Sequence, residues 1–421
     1  MAVELAEVLR RFGPAYLQQH ALGREQARAW RAIVACRTPA LGGELLGCDA
    51  CGALGWRWHS CRNRNCPRCG TRCREAWRAA RMAELLDLPY AHLVFTLPHE
   101  LDALAAVHAR WVCDALLQCT AATLAAFAAD PAWLGGIGSF TLVLHTWRQD
   151  LRRHLHAHAL MACGALGRDA QGAPAWIEPR RGSHFLFPVH ALSKVFKGKF
   201  LDALAKAEAD GTLARDPAAD PAQRGERKRA LARHDWVVYA KAALAGPAAV
   251  LDYLSRYTNR TAIGAERLLA IRGDEVLLRV RGVDAGGEGG EGGEGGKHGG
   301  KHGAKGGGKA RRKRVVAIDG VDFVGRFLQH VLPSGFKRIR HYGLLAPAAK
   351  AERLATSRAL LAMPAPNPRA VEDARAFMQR VAAIDIERCP HCQAGRWRCV
   401  QSLPADRAAL AVIAAGCRGP P

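Results

Sequence analysis

Tyr253 and Tyr257 stand four residues apart, and about a hundred residues upstream His156 and His158 flank Ala157. On a helix that step puts both phenols on one face. On a strand, the two-residue step of His154, His156 and His158 points three imidazoles to one side. Cleaving a phosphodiester needs a nucleophile, an in-line leaving group and neutralisation of the charge that gathers on phosphate. Two phenol oxygens beside a divalent ion, Mg²⁺ or Mn²⁺, held by His156 and His158 meet those needs. One tyrosine suffices to nick a strand as a phosphotyrosine. A second on the same face lets another strand be cut while the first stays attached. The ion needs a third ligand, and Gln149, seven residues before His156, and His154 are the candidates. Two aromatics around Leu254 are more often core than catalytic. Arg256, Asn259 and Arg260 beside them favour a phosphate-facing helix instead.

The charge points the same way. Lys and Arg total 61 against 38 Asp and Glu, a formal net charge of +23, as expected of a chain that meets a polyanion. The amino end carries acids and no basic stretch of the secretory kind, and no apolar run of about 18 residues is expected to span a bilayer. A cytoplasmic, DNA-associated protein with no membrane partner is the expectation. There is no GxxxxGK[ST] phosphate loop.

Six of the fourteen cysteines fall between Cys48 and Cys73. Cys48-x2-Cys51, fourteen residues, then Cys66-x2-Cys69 has the form of two knuckles converging on one Zn²⁺. Cys36, Cys61, Cys73 and His59 are left unassigned by that spacing. Arg57, Arg62, Arg64, Arg68, Arg72 and Arg74, interleaved with Trp56 and Trp58, suit a surface that grips a backbone and stacks on bases. A solvated structural face is the plainer reading of the same run. Cys389, Cys392 and Cys399 read as half of a second site, to be completed by His391 or Cys417.

The elements that must position these groups follow from periodicity. Leu5, Val8, Leu9 and Phe12, then Ala27, Trp30 and Ile33, predict two short helices. Strands are expected from Tyr90 to Pro98, at 138–146 and at 155–163, helices at 100–129 and 189–208, and further strands at 276–280 and 315–318. This order predicts an α+β chain. A zinc-binding, DNA-contacting domain would occupy residues 1–85, and a nuclease domain with a central antiparallel sheet flanked by helices residues 86–345. A polar, Ala-rich tail would fill 346–421. Residues 285–310, built of GlyGlyGlu and GlyGlyLys units, predict a disordered enlargement of a hairpin loop, with Lys309 to Arg314 free to touch phosphates.

Seven ordered blocks, 36–43, 60–69, 95–101, 147–160, 192–201, 253–263 and 335–345, resemble the rolling-circle, two-tyrosine HUH transposases of the IS91 class, to which the ISCR elements are related. The resemblance runs through most of the chain. It departs at Leu155 and Ala157, where the family usually has proline and a bulky apolar residue, and at Asn65 and Asn259, where it usually has histidine. What it implies is nicking at an insertion-sequence end, a 5′-phosphotyrosine and a free 3′ hydroxyl. Tyr253 and Tyr257 become the nucleophiles, and His156, His158 and Gln149 the metal ligands. Lys194, Lys197, Lys199, Arg256, Arg260, Lys337, Arg338 and Arg340 become phosphate contacts. Single-stranded transposon ends, target DNA and host replication proteins are the implied partners, and the zinc domain positions DNA without joining the chemistry. A replication initiator or relaxase would share the chemistry but normally brings a helicase. A zinc-binding regulator would keep the basic surface without cleavage.

Overall fold

The strands expected near 90, 138 and 155 lie side by side. The computed structural model describes residues 3–70, 76–77, 80–182, 186–218, 220–244, 249–250, 262–281, 313–365 and 372–415. Twelve strands are named within them: β1 (Gly43–Cys48), β2 (Leu54–Trp58), β3 (Tyr90–Thr96), β4 (Ile137–Trp147), β5 (Arg153–Arg168), β6 (Pro174–Ile177), β7 (Val238–Leu244), β8 (Leu268–Arg272), β9 (Glu275–Arg281), β10 (Lys313–Asp319), β11 (Ile339–Gly343) and β12 (Trp397–Leu403). The central sheet runs β11-β4-β5-β3-β7, with β6 paired to the far end of β5, and every pairing is antiparallel. The α+β expectation holds.

One face of this sheet carries the main core. Leu93, Phe95, Leu142, Leu144, Leu155, Ala157 and Met161 pack against helices Ala109–Ala129 and Val189–Ala209. Phe95 meets Phe196 edge-on at 5.2 Å between centroids. The helix predicted over 100–129 is divided into a 3-10 turn, His99–Leu101, a short helix, Asp102–Val107, and the long Ala109–Ala129. That last helix corrects the expectation of no membrane-length apolar run, because by length and hydropathy it passes the test for a span. Its Val112, Leu116, Leu117 and Leu124 are fully buried in the core, so its apolarity serves packing against the sheet.

A second core joins parts of the chain distant in sequence. Helices Leu5–Gln19 and Arg24–Ala35 pack through Phe12, Trp30 and Ile33 onto helix Gly320–Leu328 and the sheet β10-β9-β8. Gly320 allows the approach, since a Cβ there would lie 2.3 Å from the Phe12 ring. The first 85 residues therefore share their core with residues 262–328. β9 and β10 pair from Glu275↔Asp319 to Arg281↔Lys313, as expected for strands flanking a long loop. The glycine-rich run 285–310 itself lies outside the described residues.

Among the described residues the polar, Ala-rich region beyond residue 345 is folded. Residues 346–421 contain helices Lys350–Leu360, Ala374–Ala382 and Arg407–Ala415, and β12 pairs antiparallel with β1. Composition is silent on such pairing, because a free edge accepts a strand through its backbone.

His330 makes this packing pH-sensitive. It is buried, its Nε2 lies 2.9 Å from the Leu151 carbonyl and its Nδ1 3.1 Å from the Thr146 hydroxyl. Burial pushes its imidazole down from 6.5 to about 4. A folded-state value below the unfolded one gives stability that is complete above pH 6.5 and lost as pH falls toward 4. The loss is about 3 kcal/mol from this group. Denaturant midpoints measured from pH 7 to 4 should fall steeply for the wild type, and less steeply for His330→Gln, which starts from a lower value.

Candidate functional site

The register of three strands assembles a histidine cluster. His145 on β4 stands opposite His156 on β5, and Val143 opposite His158. On β3, Val94 faces His158 and His92 faces Leu160. Cross-strand partners share a face, so His92, His145, His156 and His158 all lie on the side away from the two core helices. His145, His156 and His158 are only 1%, 1% and 4% exposed. Ring centroids lie 5.3 Å apart for His145 and His156, 4.5 Å for His145 and His158, and 4.9 Å for His156 and His158. One ring nitrogen from each lies within 4.8 Å of the others.

Their outer partners set the tautomers. His156 Nδ1 lies 3.0 Å from the His154 carbonyl, which can only accept, so Nδ1 carries the proton and Nε2 keeps its lone pair. His158 Nδ1 lies 2.9 Å from His92 Nε2, and its Nε2 3.2 Å from His145 Nδ1. With His158 donating to His92, its Nε2 is also a lone-pair donor. That nitrogen can accept from His145 Nδ1, 3.2 Å away, or turn its lone pair toward a cation. Three imidazoles backed by a carbonyl and a fourth imidazole are a donor set that can hold a divalent ion such as Mn²⁺. The third imidazole is His145, where the sequence pointed to Gln149 or His154. Gln149 lies in the β4–β5 turn, its backbone carbonyl accepting from Arg267. His154 is half-buried, its ring 4.8 Å from that of His156. The one signal for His145 is hairpin register, since residues 148–152 form the turn that brings 145 opposite 156.

Tyr253, Tyr257, Arg256 and Arg260 lie outside the described residues. The residues that bracket them are placed. Val250 is fully buried with Tyr90, Val143, Leu160 and Ala162 on the histidine face. Ala262 and Ile263 are buried in the core that contains Trp147 and Leu151. Trp147 stacks on His145 with centroids 4.9 Å apart, and the Arg338 guanidinium lies 5.8 Å from the Trp147 ring. Burial, with Arg64 nearby, pushes Arg338 down to about 10, so it remains a cation at neutral pH.

The other expected phosphate contacts scatter. Lys194, Lys197 and Lys199 sit on helix Val189–Ala209, whose Leu192, Phe196 and Phe200 pack on the opposite face of the sheet from the histidines. Lys197 donates at 3.1 Å to the carbonyls of Ala232 and His234. Arg340 pairs with Asp114, and Lys337 is exposed. In the amino-terminal module Trp56 and Trp58 stack at 5.1 Å, and Trp56 is 55% exposed. Arg57 pairs with Glu44 and Arg68 with Glu4. Arg64 donates to the carbonyls of Leu332, Pro333 and Phe336, so it ties the module to the segment before β11.

The cysteine expectation needs a correction. Cys48 and Cys51 do not converge with Cys66 and Cys69. Cys66 and Cys69 join Cys36 and Cys61, whereas Cys48 and Cys51 join Cys389 and Cys392. The β1–β2 hairpin is the reason, since Cys48 and Cys51 sit at its turn and Cys61 to Cys69 follow its other end. A strand of this length, at about 3.4 Å per residue, holds the knuckles well apart. In the first group Cys36 Sγ lies 3.4 Å from Cys69 and 3.8 Å from Cys66, and Cys61 lies 3.6 Å from Cys69. Tetrahedral Zn²⁺ with bonds of about 2.3 Å separates its sulfurs by about 3.8 Å, so this group fits structural zinc. Hydrogen bonds from Cys61 and Cys66 lower the Cys36 thiol below its ordinary value, in the direction a zinc thiolate needs. Cys399 is exposed and, with His391, stands outside both groups, while Cys73 and Cys417 lie outside the described residues.

Comparison with known proteins places the chain among transposases. Residues 138–353 match a family described as "Putative transposase", and residues 8–97 one described as "Transposase zinc-binding domain". The chain is 38% identical over 403 residues to "Putative transposase y4qJ" of Sinorhizobium fredii, covering 93% of this chain and 94% of that one. It is 26% identical over 371 residues to "Transposase for insertion sequence element IS801" of Pseudomonas savastanoi pv. phaseolicola, covering 86% and 80%. No solved structure matches significantly.

The regrouped cysteines separate two variants. Cys66→Ser, which removes a sulfur 1% exposed in the second core, should lower zinc content by one equivalent and lower the melting temperature. Cys399→Ser should leave both unchanged. Metal analysis and calorimetry on the intact chain check this.

Proposed function

The chain belongs to the IS91 family of rolling-circle transposases, with an amino-terminal zinc-binding domain, and on that premise we propose that it cuts and transfers single DNA strands through phosphotyrosine intermediates at a metal site of three histidines. The observation that carries the reading is the convergence of His145, His156 and His158 on the sheet face where Val250, three residues before Tyr253, is buried. Tyr253 is three residues from Val250, a reach of at most about 11 Å between Cα atoms. Val250 rests on Val143 and Leu160, the neighbours of His158 across and along the sheet. Tyr257 is five residues from Ala262, within about 18 Å.

Mg²⁺ or Mn²⁺ bound there would polarise the scissile phosphate and draw off its developing charge. One phenol oxygen attacks phosphorus, the new bond joins tyrosine to the 5′ phosphate, and the broken bond leaves the 3′ oxygen to take up a proton. Attack by a 3′ hydroxyl reverses the exchange and releases the tyrosine. The second tyrosine cuts another strand while the first is occupied, as transfer requires. Trp147, stacked on His145, holds that imidazole's plane, and Arg338 beyond it offers a cation to the DNA backbone. Gln149 remains a candidate for an additional ligand. Single-stranded transposon ends and target DNA are the substrates, met in the cytoplasm, and host replication proteins would displace the strand.

Labelled oligonucleotides tiling the element's ends, run on denaturing gels with and without Mn²⁺, test the reading. A covalent adduct should form with the wild type, disappear in the Tyr253→Phe/Tyr257→Phe double variant and fall about a hundredfold or more in His145→Ala. Absence of any adduct while DNA binding persists would favour a non-catalytic zinc-binding regulator. His92→Phe removes the partner of His158 Nδ1. It should raise the Mn²⁺ concentration needed for half-maximal cleavage about tenfold or more, leaving the rate at saturating metal close to wild type.

A further inference from the structure

We propose that Cys48, Cys51, Cys389 and Cys392 bind a second structural zinc ion, and that this ion straps the carboxy-terminal segment onto the amino-terminal sheet. Cys389 and Cys392 fall outside both matched spans, 8–97 and 138–353. Cys48 Sγ lies 3.7 Å from Cys392 and Cys51 Sγ 3.8 Å from Cys389, with all four sulfurs within 4.8 Å. These separations match the roughly 3.8 Å of a tetrahedral zinc–thiolate site and are far beyond a disulfide bond of about 2.05 Å.

Both halves have the form of a zinc knuckle. Each is a Cys-x2-Cys turn, and a backbone amide follows closely behind one sulfur of each pair. Ala50 N lies 3.4 Å from Cys48 Sγ, and Gly395 N 3.3 Å from Cys392 Sγ. The halves are shaped to one another at Gly395, where a Cβ would come 2.5 Å from Cys48 Sγ, 2.6 Å from the Ala50 methyl and 2.8 Å from Asp49 Oδ1. Around that contact Asp49 N donates to the Arg396 carbonyl at 3.1 Å, and Arg396 N donates to the Asp49 carboxylate at 2.7 Å.

The sheet needs such a strap. In β12 the five residues from Arg398 to Ser402 are all exposed, and β2 on the other side of β1 buries no residue fully. A three-stranded sheet with so little apolar burial is marginal on backbone hydrogen bonds alone. Closing a loop of 338 residues between Cys51 and Cys389 adds an entropic cost. A metal ion bound by four thiolates supplies folding free energy directly. Beyond β12 the strap carries helix Arg407–Ala415 back to the amino-terminal helices, where Ile413 packs against the second core.

The test counts metal on the intact, reduced chain. Native mass spectrometry and elemental analysis should find two zinc ions per wild-type chain and one in Cys389→Ser/Cys392→Ser. Gly395→Val keeps every sulfur but fills the cradle, and it should also drop to one. Limited proteolysis should cut between residues 361 and 396 about tenfold faster in both variants. One zinc in the wild type, or an unchanged count in the double variant, overturns the proposal. So does a wild-type mass showing two disulfides in place of the second ion. Because a count of one in the wild type overturns the proposal by itself, misfolding of a variant leaves it falsifiable, and the count is independent of DNA cleavage.

Discussion

The pairing of β4 with β5 is the constraint on which the site depends. Its register puts His145 opposite His156 and sets Val143 beside His158. A slip of one residue would send the imidazoles into the apolar layer under helix Ala109–Ala129 and bring Leu144 and Ala157 to the opposite face. The register is held because the other face is filled: Leu142, Leu144, Leu155, Ala157 and Met161 are buried between sheet and helices. The histidine cluster is thus kept in place by the core on the reverse side of the same strands. β3 adds His92 on the histidine face, and the aromatic stack from His145 to Trp147 extends the cluster toward Arg338.

The basic character of the chain is organised by the same layers. A net charge of +23 favours nucleic acid in general, yet the structure assigns many of the cations to architecture. Arg64 knits the zinc module to the segment before β11, Lys197 caps the carbonyls at the end of helix Pro221–Arg233, and Arg340 answers Asp114. Partly buried guanidinium and ammonium groups used in this way retain a positive field while losing freedom to follow a DNA backbone.

The amino-terminal region is likewise less separate than its composition suggests. Phe12 against Gly320 and Cys48 beside Cys392 join it to sequence some three hundred residues away. Zinc chemistry and helix packing therefore act on the orientation of the whole chain as well as on a local module. Two sulfur clusters at opposite ends of the β1–β2 hairpin give that small sheet two fixed points.

From sequence alone came the α+β class, most strands and helices, the paired histidines, the tyrosine pair and the presence of zinc-binding cysteines. Each is local: a period of two or 3.6, or a Cys-x2-Cys turn, is written in neighbouring residues. The partners were not legible. His145 is a lone histidine in an apolar strand until β5 folds back beside it, and Cys36, Cys61, Cys389 and Cys392 complete their groups only after distant segments meet. Spacing tells which residues share a face or a turn, but not which other face or turn they will oppose. That choice is made by long-range pairing and burial, so the ligand sets, the placement of the lysine helix and the docking of the carboxy-terminal strand were decided by the tertiary structure.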